Sequence, residues 1–130
     1  MNIEEYLQVG NTSQATFKVE EQHTAPHVGS GSVRVLATPW MISFMEITAR
    51  KMLDEQLPEG YASVGTMVHV HHRAPSKLGS TVRAQVEIQS IERSKVLFIV
   101  AVLESDNVIG EGTHERFVIE VARFMRRVEE

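Results

Sequence analysis

The chain is 130 residues long, carries a formal net charge of −4 and contains no cysteine. That length suits one domain burying roughly two thirds of its unfolded surface, and the missing thiols exclude disulfides, thiolate zinc sites and cysteine nucleophiles together. Basic residues are scattered apart from Arg123, Arg126 and Arg127, so the cationic stripe that nucleic acid requires is missing. The opening MNIEEYLQVG is acidic where a secretory leader is basic, and no apolar run is long enough for a bilayer. The expectation is a single domain over residues 1–130, cytoplasmic, with no nucleic-acid or membrane partner.

Gln14–Glu20 (QATFKVE) alternates, with Ala15, Phe17 and Val19 on one face, and predicts a first strand. Ala25–Ser32 is punctuated by Pro26, Gly29 and Gly31 and predicts a loop. Thr38-Pro39 marks a helix start, the hydroxyl suited to an N-cap and the proline to the first helical position. The helix is predicted to run to about Gln56. At about 100° per residue, Met41, Met45, Thr48, Ala49 and Met52 form one stripe, flanked by Ile42 and Leu53. Trp40, Phe44 and Ile47 extend the apolar surface the other way, leaving a narrow polar arc of Ser43, Glu46, Arg50, Lys51 and Asp54. Such a helix must be wrapped.

Four predicted strands supply the wrapping: Tyr61–Arg73, Ser80–Glu92, Lys95–Glu104 and Val108–Val121. The second alternates cleanly through Val82, Ala84, Val86 and Ile88. The third (VLFIVAVL) is apolar on both faces, as a strand covered on both sides would be. Asp106-Asn107 predicts the last hairpin turn, and no second helix is expected. The order β-α-β-β-β-β gives an α+β fold, an antiparallel sheet curled round one long helix.

The segment VHVHHRAP places three histidines within four positions. Side chains two apart share a strand face, so Val64, Thr66, Val68, Val70 and His72 are expected to face the core, and His69 and His71 the other side. An H-x-H pair can chelate zinc given a third ligand. Spacing supplies none, so His69 and His71 are read as solvent-facing or subunit-contact residues, with no metal. Taken singly, His72 is a strand-end histidine, Thr38 an N-cap, and Glu46 an i,i+4 partner of Arg50 worth about 0.2–0.5 kcal/mol.

Together these residues carry a resemblance. LATPWMISFME (Leu36–Glu46), SVGT (Ser63–Thr66) followed by His72, GSTVRA (Gly79–Ala84) and VIGEGTHER (Val108–Arg116) look like the hotdog-fold thioesterases, within them the fluoroacetyl-CoA thioesterase-like group, over about residues 33 to 120. The resemblance implies a curled sheet round a central helix, assembled as a homodimer or larger homo-oligomer with active sites at the subunit boundary. It implies catalytic roles for Thr38, Glu46 and His72, an oxyanion-stabilising amide at or near Gly65, and substrate contacts from Thr66 and Arg116. Arg116 is read equally well as an ordinary surface ion pair.

The implied reaction is hydrolysis of a short or medium acyl-CoA to free acid and CoA, with no cofactor beyond the CoA of the substrate. Which residue is the nucleophile stays open. In the fluoroacetyl-specific member, phenylalanines in the loop before the helix help to shape the acyl pocket. Here that loop, HVGSGSV (His27–Val33), has no such aromatic, which argues for a different acyl group, and Gly29 and Gly31 suggest a mobile lid. Two alternatives stand beside this reading: a noncatalytic acyl-CoA binding module, and a hotdog enoyl-CoA hydratase.

Overall fold

The computed structural model describes all 130 residues. A short 3₁₀ turn, Ile3–Glu5, precedes β1 (Thr12–Lys18), and a second, Glu21–His23, leads into a four-residue helix α1 (Ala25–Val28). The long helix α2 (Thr38–Gln56) follows, then β2 (Tyr61–His72), β3 (Thr81–Glu92), β4 (Lys95–Glu104), β5 (Asn107–Glu120) and a terminal helix α3 (Val121–Val128). The five strands form one antiparallel sheet in the order β1-β3-β4-β5-β2, leaving β1 and β2 as its edges. No helix is long and apolar enough to cross a membrane.

The sheet curls round α2 because both present apolar surface there. The buried helix positions, Met41, Phe44, Met45, Thr48, Ala49, Met52 and Leu53, recur at three- and four-residue spacing, which keeps them on one side. Val82, Ala84, Val86 and Ile88 of β3 and Val96, Phe98, Val100 and Val102 of β4 meet them, all at most 2% exposed. Phe17 of β1 stacks on Phe44 at 4.3 Å between ring centroids, and His23 packs edge-on against Trp40 and Phe44. Burying an aromatic such as Phe44 contributes roughly 1.5–3 kcal/mol from transfer alone.

Several expectations shift. Strand β1 sits two residues earlier than the alternation implied, though Ala15 and Phe17 do share its more buried face. Ala25–Val28 closes into one helical turn that ends at Gly29 with φ +90°. Residues 121–128 form α3, although no second helix was expected; with no fully buried residue, its apolar positions gave too short a pattern to register. The last hairpin turns at Ser105-Asp106, one residue earlier than expected, since Glu104 pairs with Asn107. Strand β4 is covered on its inner face only; Ile99 on the outer face is 44% exposed.

Candidate active site

Two polar clusters lie along α2 and β2. In the first, Thr38 Oγ1 is 2.7 Å from His72 Nδ1. Backbone ties bring them together. The Ile109 carbonyl, at a register shift of β5 against β4, accepts the N–H groups of both Arg73 and Ala74 at 2.7 and 3.2 Å, fixing the end of β2. Leu36 N–H donates to the Ser76 carbonyl at 2.8 Å, and Val35 bridges Lys77, so the residues after β2 are tied to those before α2.

The Thr38 hydroxyl is not spent on capping, contrary to expectation. Ala37 is the N-cap residue, Thr38 the first helical one, and no side chain caps the helix. Pro39 still falls in the first turn, where its missing N–H costs nothing. Burial pulls the His72 imidazole below its ordinary value of 6.5, with the Ala74 backbone opposing, while Nε2 is buried without a partner in hydrogen-bond geometry. Neutral imidazole is therefore the resting form near neutrality. Val35, Arg73, Ala74 and Pro75 complete an open recess around this pair.

Glu46 begins the second cluster, eight residues and about 12 Å further along the helix axis. It lines a separate recess with Trp40, Ser43, Ile47, Arg50 and Arg116. The expected Glu46–Arg50 pair does not form: Arg50 binds Asp54 at 3.0 Å, and Glu46 Oε2 faces Arg116 Nη1 at 3.6 Å. Nor is Arg116 a surface residue, being 6% exposed. Its Nε donates to Ser63 Oγ at 2.8 Å and Nη2 to the Ser63 carbonyl at 3.1 Å. Burial lowers its pKa with Glu46 opposing, yet a guanidinium starts so high that it stays charged.

The third anchor of Arg116 is His114, 1% exposed, whose Nε2 lies 3.2 Å from Nη1. His114 Nδ1 is 2.8 Å from the Met67 carbonyl. A carbonyl only accepts, so Nδ1 carries the proton and Nε2 offers its lone pair to the guanidinium. Burial lowers the His114 pKa; the Met67 carbonyl opposes, Arg116 reinforces, and Glu46 and Glu115 oppose. Neither His114 nor Ser63 was singled out from the sequence. The available signal was that His114, Arg116 and Val118 share one parity on β5, two polar residues in an inward row.

Gly65 closes this cluster. A Cβ there would lie 2.6 Å from Glu46 Oε2 and 3.4 Å from Arg116 Nη1, so the strand backbone runs directly past the carboxylate. The parity assigned from sequence is reversed here: Ser63 and Gly65 face the helix, not Val64 and Thr66. The cause is a bulge, since Gly65 pairs with Arg116 and Met67 with Glu115, leaving Thr66 without a partner. One extra residue flips the faces, and beyond it Val68, Val70 and His72 recover the expected side. Thr66 turns to Glu115, its Oγ1 donating to Oε2 at 2.6 Å. His69 and His71 are exposed with rings 6.0 Å apart, and no three histidine or carboxylate side chains gather as a metal-holding group.

Within one chain, then, Thr38 meets His72, and Glu46 meets Gly65 and Arg116, but the two sets open into different recesses. A single chain does not bring Glu46 and His72 into one cleft; the resemblance implied sites at the subunit boundary.

Both clusters fall inside a stretch, residues 19–122, that matches the sequence profile of the fluoroacetyl-CoA-specific thioesterases. The fluoroacetyl-CoA thioesterase of Streptantibioticus cattleyicolor is 30% identical over 128 residues, covering 94% of this chain and 92% of that protein. A solved structure of the fluoroacetyl-CoA thioesterase FlK superposes with a TM-score of 0.88 at 29% identity, over 95% of this chain and 96% of that one. A variant of FlK in complex with fluoroacetate and CoA gives 0.83 at 31% identity, over 91% and 99%. A hot-dog-like protein from Thermanaerovibrio acidaminovorans gives 0.89 at 27% identity, over 98% and 95%. Sequence and architecture agree across nearly the whole length, and the chain belongs to the fluoroacetyl-CoA-specific thioesterase family, with the hotdog fold.

Proposed function

We propose that the protein hydrolyses short or medium acyl-CoA thioesters with Thr38 as nucleophile, His72 as its base and Glu46 as the base for water, the last supplied by a second copy of the chain. The observation that carries this reading is the 2.7 Å contact between Thr38 Oγ1 and His72 Nδ1, the geometry of a nucleophile and its base. With its proton on Nε2, neutral His72 offers the Nδ1 lone pair to the hydroxyl. As Thr38 Oγ1 bonds to the thioester carbon, His72 takes its proton. The C–S bond then breaks, and the proton passes to the departing thiolate, giving CoA and an acyl ester on Thr38. Glu46 next draws a proton from water, the hydroxide attacks the ester, and the proton passes on to Thr38 Oγ1 as the acid leaves. The amide at Gly65 stabilises the oxyanion of both steps, where charge develops.

Geometry along β2 supports assembly as a dimer. Gly65 and His72 lie seven residues apart on this edge strand, about 23 Å in extended chain. An open edge of that length is a template for pairing with another strand. Antiparallel pairing of β2 with β2 of a second copy, about a twofold axis midway between those residues, sets His72 of one copy across from Gly65 and Glu46 of the other. Two complete sites per dimer result, and Val68, 38% exposed near the midpoint, is covered. Arg116 faces the Glu46 carboxylate and fixes its direction, and Thr66, held by Glu115, fixes the bulge that turns Gly65 inward. The acyl group differs from fluoroacetyl, because residues 27–33 offer the pocket no aromatic side chain and end α1 in a glycine turn.

Thiol release from a panel of straight, branched and aromatic acyl-CoAs tests this reading. His72→Ala and Glu46→Gln are each expected to lower kcat by about 10²- to 10⁴-fold, with acyl ester accumulating on Thr38 in Glu46→Gln and visible by intact mass. Wild-type rates in both variants would contradict it.

A further inference from the structure

His114 has no part in the chemistry above, yet it is almost wholly enclosed and bonded on both ring nitrogens. We infer that His114 is a positioning residue: through the lone pair of Nε2 it locks the Arg116 guanidinium so that one Nη1–H remains aimed at the Glu46 carboxylate. This rests on the role proposed for Glu46.

A guanidinium has five N–H groups, and their accounting is informative. Nε and one Nη2 hydrogen go to Ser63. Nη1 has two hydrogens, with His114 Nε2 at 3.2 Å and Glu46 Oε2 at 3.6 Å as the neighbouring acceptors. Filling the first with an acceptor fixes the direction of the second. A protonated His114 would place an N–H against Nη1, and the lock would open. The Met67 carbonyl prevents this ambiguity by claiming the Nδ1 proton, and the bulge at Thr66 immediately precedes that carbonyl.

The groups facing His114 come from every element packed on it. Glu46 from α2 lies 4.0 Å from Nε2, β2 contributes the Met67 carbonyl, and β5 contributes Arg116 and the more distant charge of Glu115. From β4 comes the uncharged ring of Phe98, stacked at 6.3 Å. Arg116 is the one cation among them, and it opposes protonation. A histidine suits this position because it donates at one end and accepts at the other. Arginine or lysine would only donate, and a carboxylate would compete with Glu46 for the guanidinium.

Two isosteres separate the ends of the ring. His114→Gln can place an amide oxygen near the former Nε2, keeping the acceptor for Arg116. His114→Asn keeps a donor near Nδ1 for Met67 and removes the acceptor. Both bury a similar amide, so a purely structural role predicts similar effects. A positioning role predicts that the Asn variant loses about ten- to a hundredfold in kcat, the worth of a hydrogen bond to a charged group. Its KM should change far less. The Gln variant should retain most of kcat. Equal kcat in the two variants would overturn the proposal.

If neither variant folds, nitrogen chemical shifts of His114 in the wild-type protein decide. A neutral ring protonated at Nδ1, persisting below the ordinary imidazole range, is expected; an Nε2–H tautomer would overturn it. The Glu46 role fails separately, through an active Glu46→Gln.

Discussion

Adding one methyl group at Gly65 measures how closely the Glu46 carboxylate is held. A Cβ there would come within 2.6 Å of Oε2, but the obstacle is the far end of a side chain, and Gly65 itself is exposed. Gly65→Ala should therefore cost little stability, under about 1 kcal/mol, while turning the carboxylate away from Arg116 and lowering kcat about tenfold or more. Equal losses of melting temperature and rate would mean that Gly65 serves packing alone. The two buried imidazoles make a second test. His72 and His114 both have folded-state pKa values below the ordinary 6.5, so the unfolded chain binds more protons in the interval between. Their contribution to stability is complete above 6.5 and is lost as pH falls from there towards the folded values. The melting temperature should decline as pH drops below about 6.5, and the acid limb of kcat/KM, which reports neutral His72, should lie below the ordinary imidazole range. A melting temperature that rises on acidification would contradict this.

Strands β2 and β5 meet more closely than any side chain permits at Gly112, where a Cβ would lie 2.1 Å from the His69 carbonyl oxygen. Here the obstacle is backbone. Gly112→Ala must separate the two strands that carry Gly65, His72, His114 and Arg116, and is expected to destabilise by about 2 kcal/mol or more, read by chemical denaturation. An unchanged midpoint would show that the pair can slide apart freely. The elements themselves were largely legible in the sequence. The Met41–Leu53 stripe announced the central helix, and the alternation Val82, Ala84, Val86, Ile88 announced an inward strand face. The candidate site was legible in part. Thr38, Glu46, Gly65 and His72 carry a family pattern, but which way Gly65 points depends on a bulge at Thr66 that leaves no compositional mark. His114 stayed hidden, and Arg116, named by the resemblance as a substrate contact, read equally well as a surface ion pair, since a polar pair on an inward row reads as surface until its partners, Ser63 and the Met67 carbonyl, are brought alongside by pairing between β2 and β5. The helix α3 was missed because eight residues with no buried face carry too little periodicity.

At the level of the whole molecule, the chain carries the two halves of the proposed site in separate places. Thr38 and His72 share one recess, Glu46 and Arg116 another, and the open edge of β2 lies between. The twofold pairing proposed above would resolve this by exchange of halves, in keeping with the isologous contacts usual in homodimers. Mixing subunits tests the exchange directly. A Thr38→Ala chain and a Glu46→Gln chain, each inactive as its own dimer, are unfolded or dissociated together at equal concentration and reassembled. Random pairing makes about half the dimers mixed, and each mixed dimer contains one site with both residues intact. The recovered rate should therefore reach about a quarter of that of wild type carried through the same procedure. If Thr38, His72 and Glu46 act within one chain, no pairing restores a whole site, and a mixture as inactive as its two components would contradict a site shared between copies.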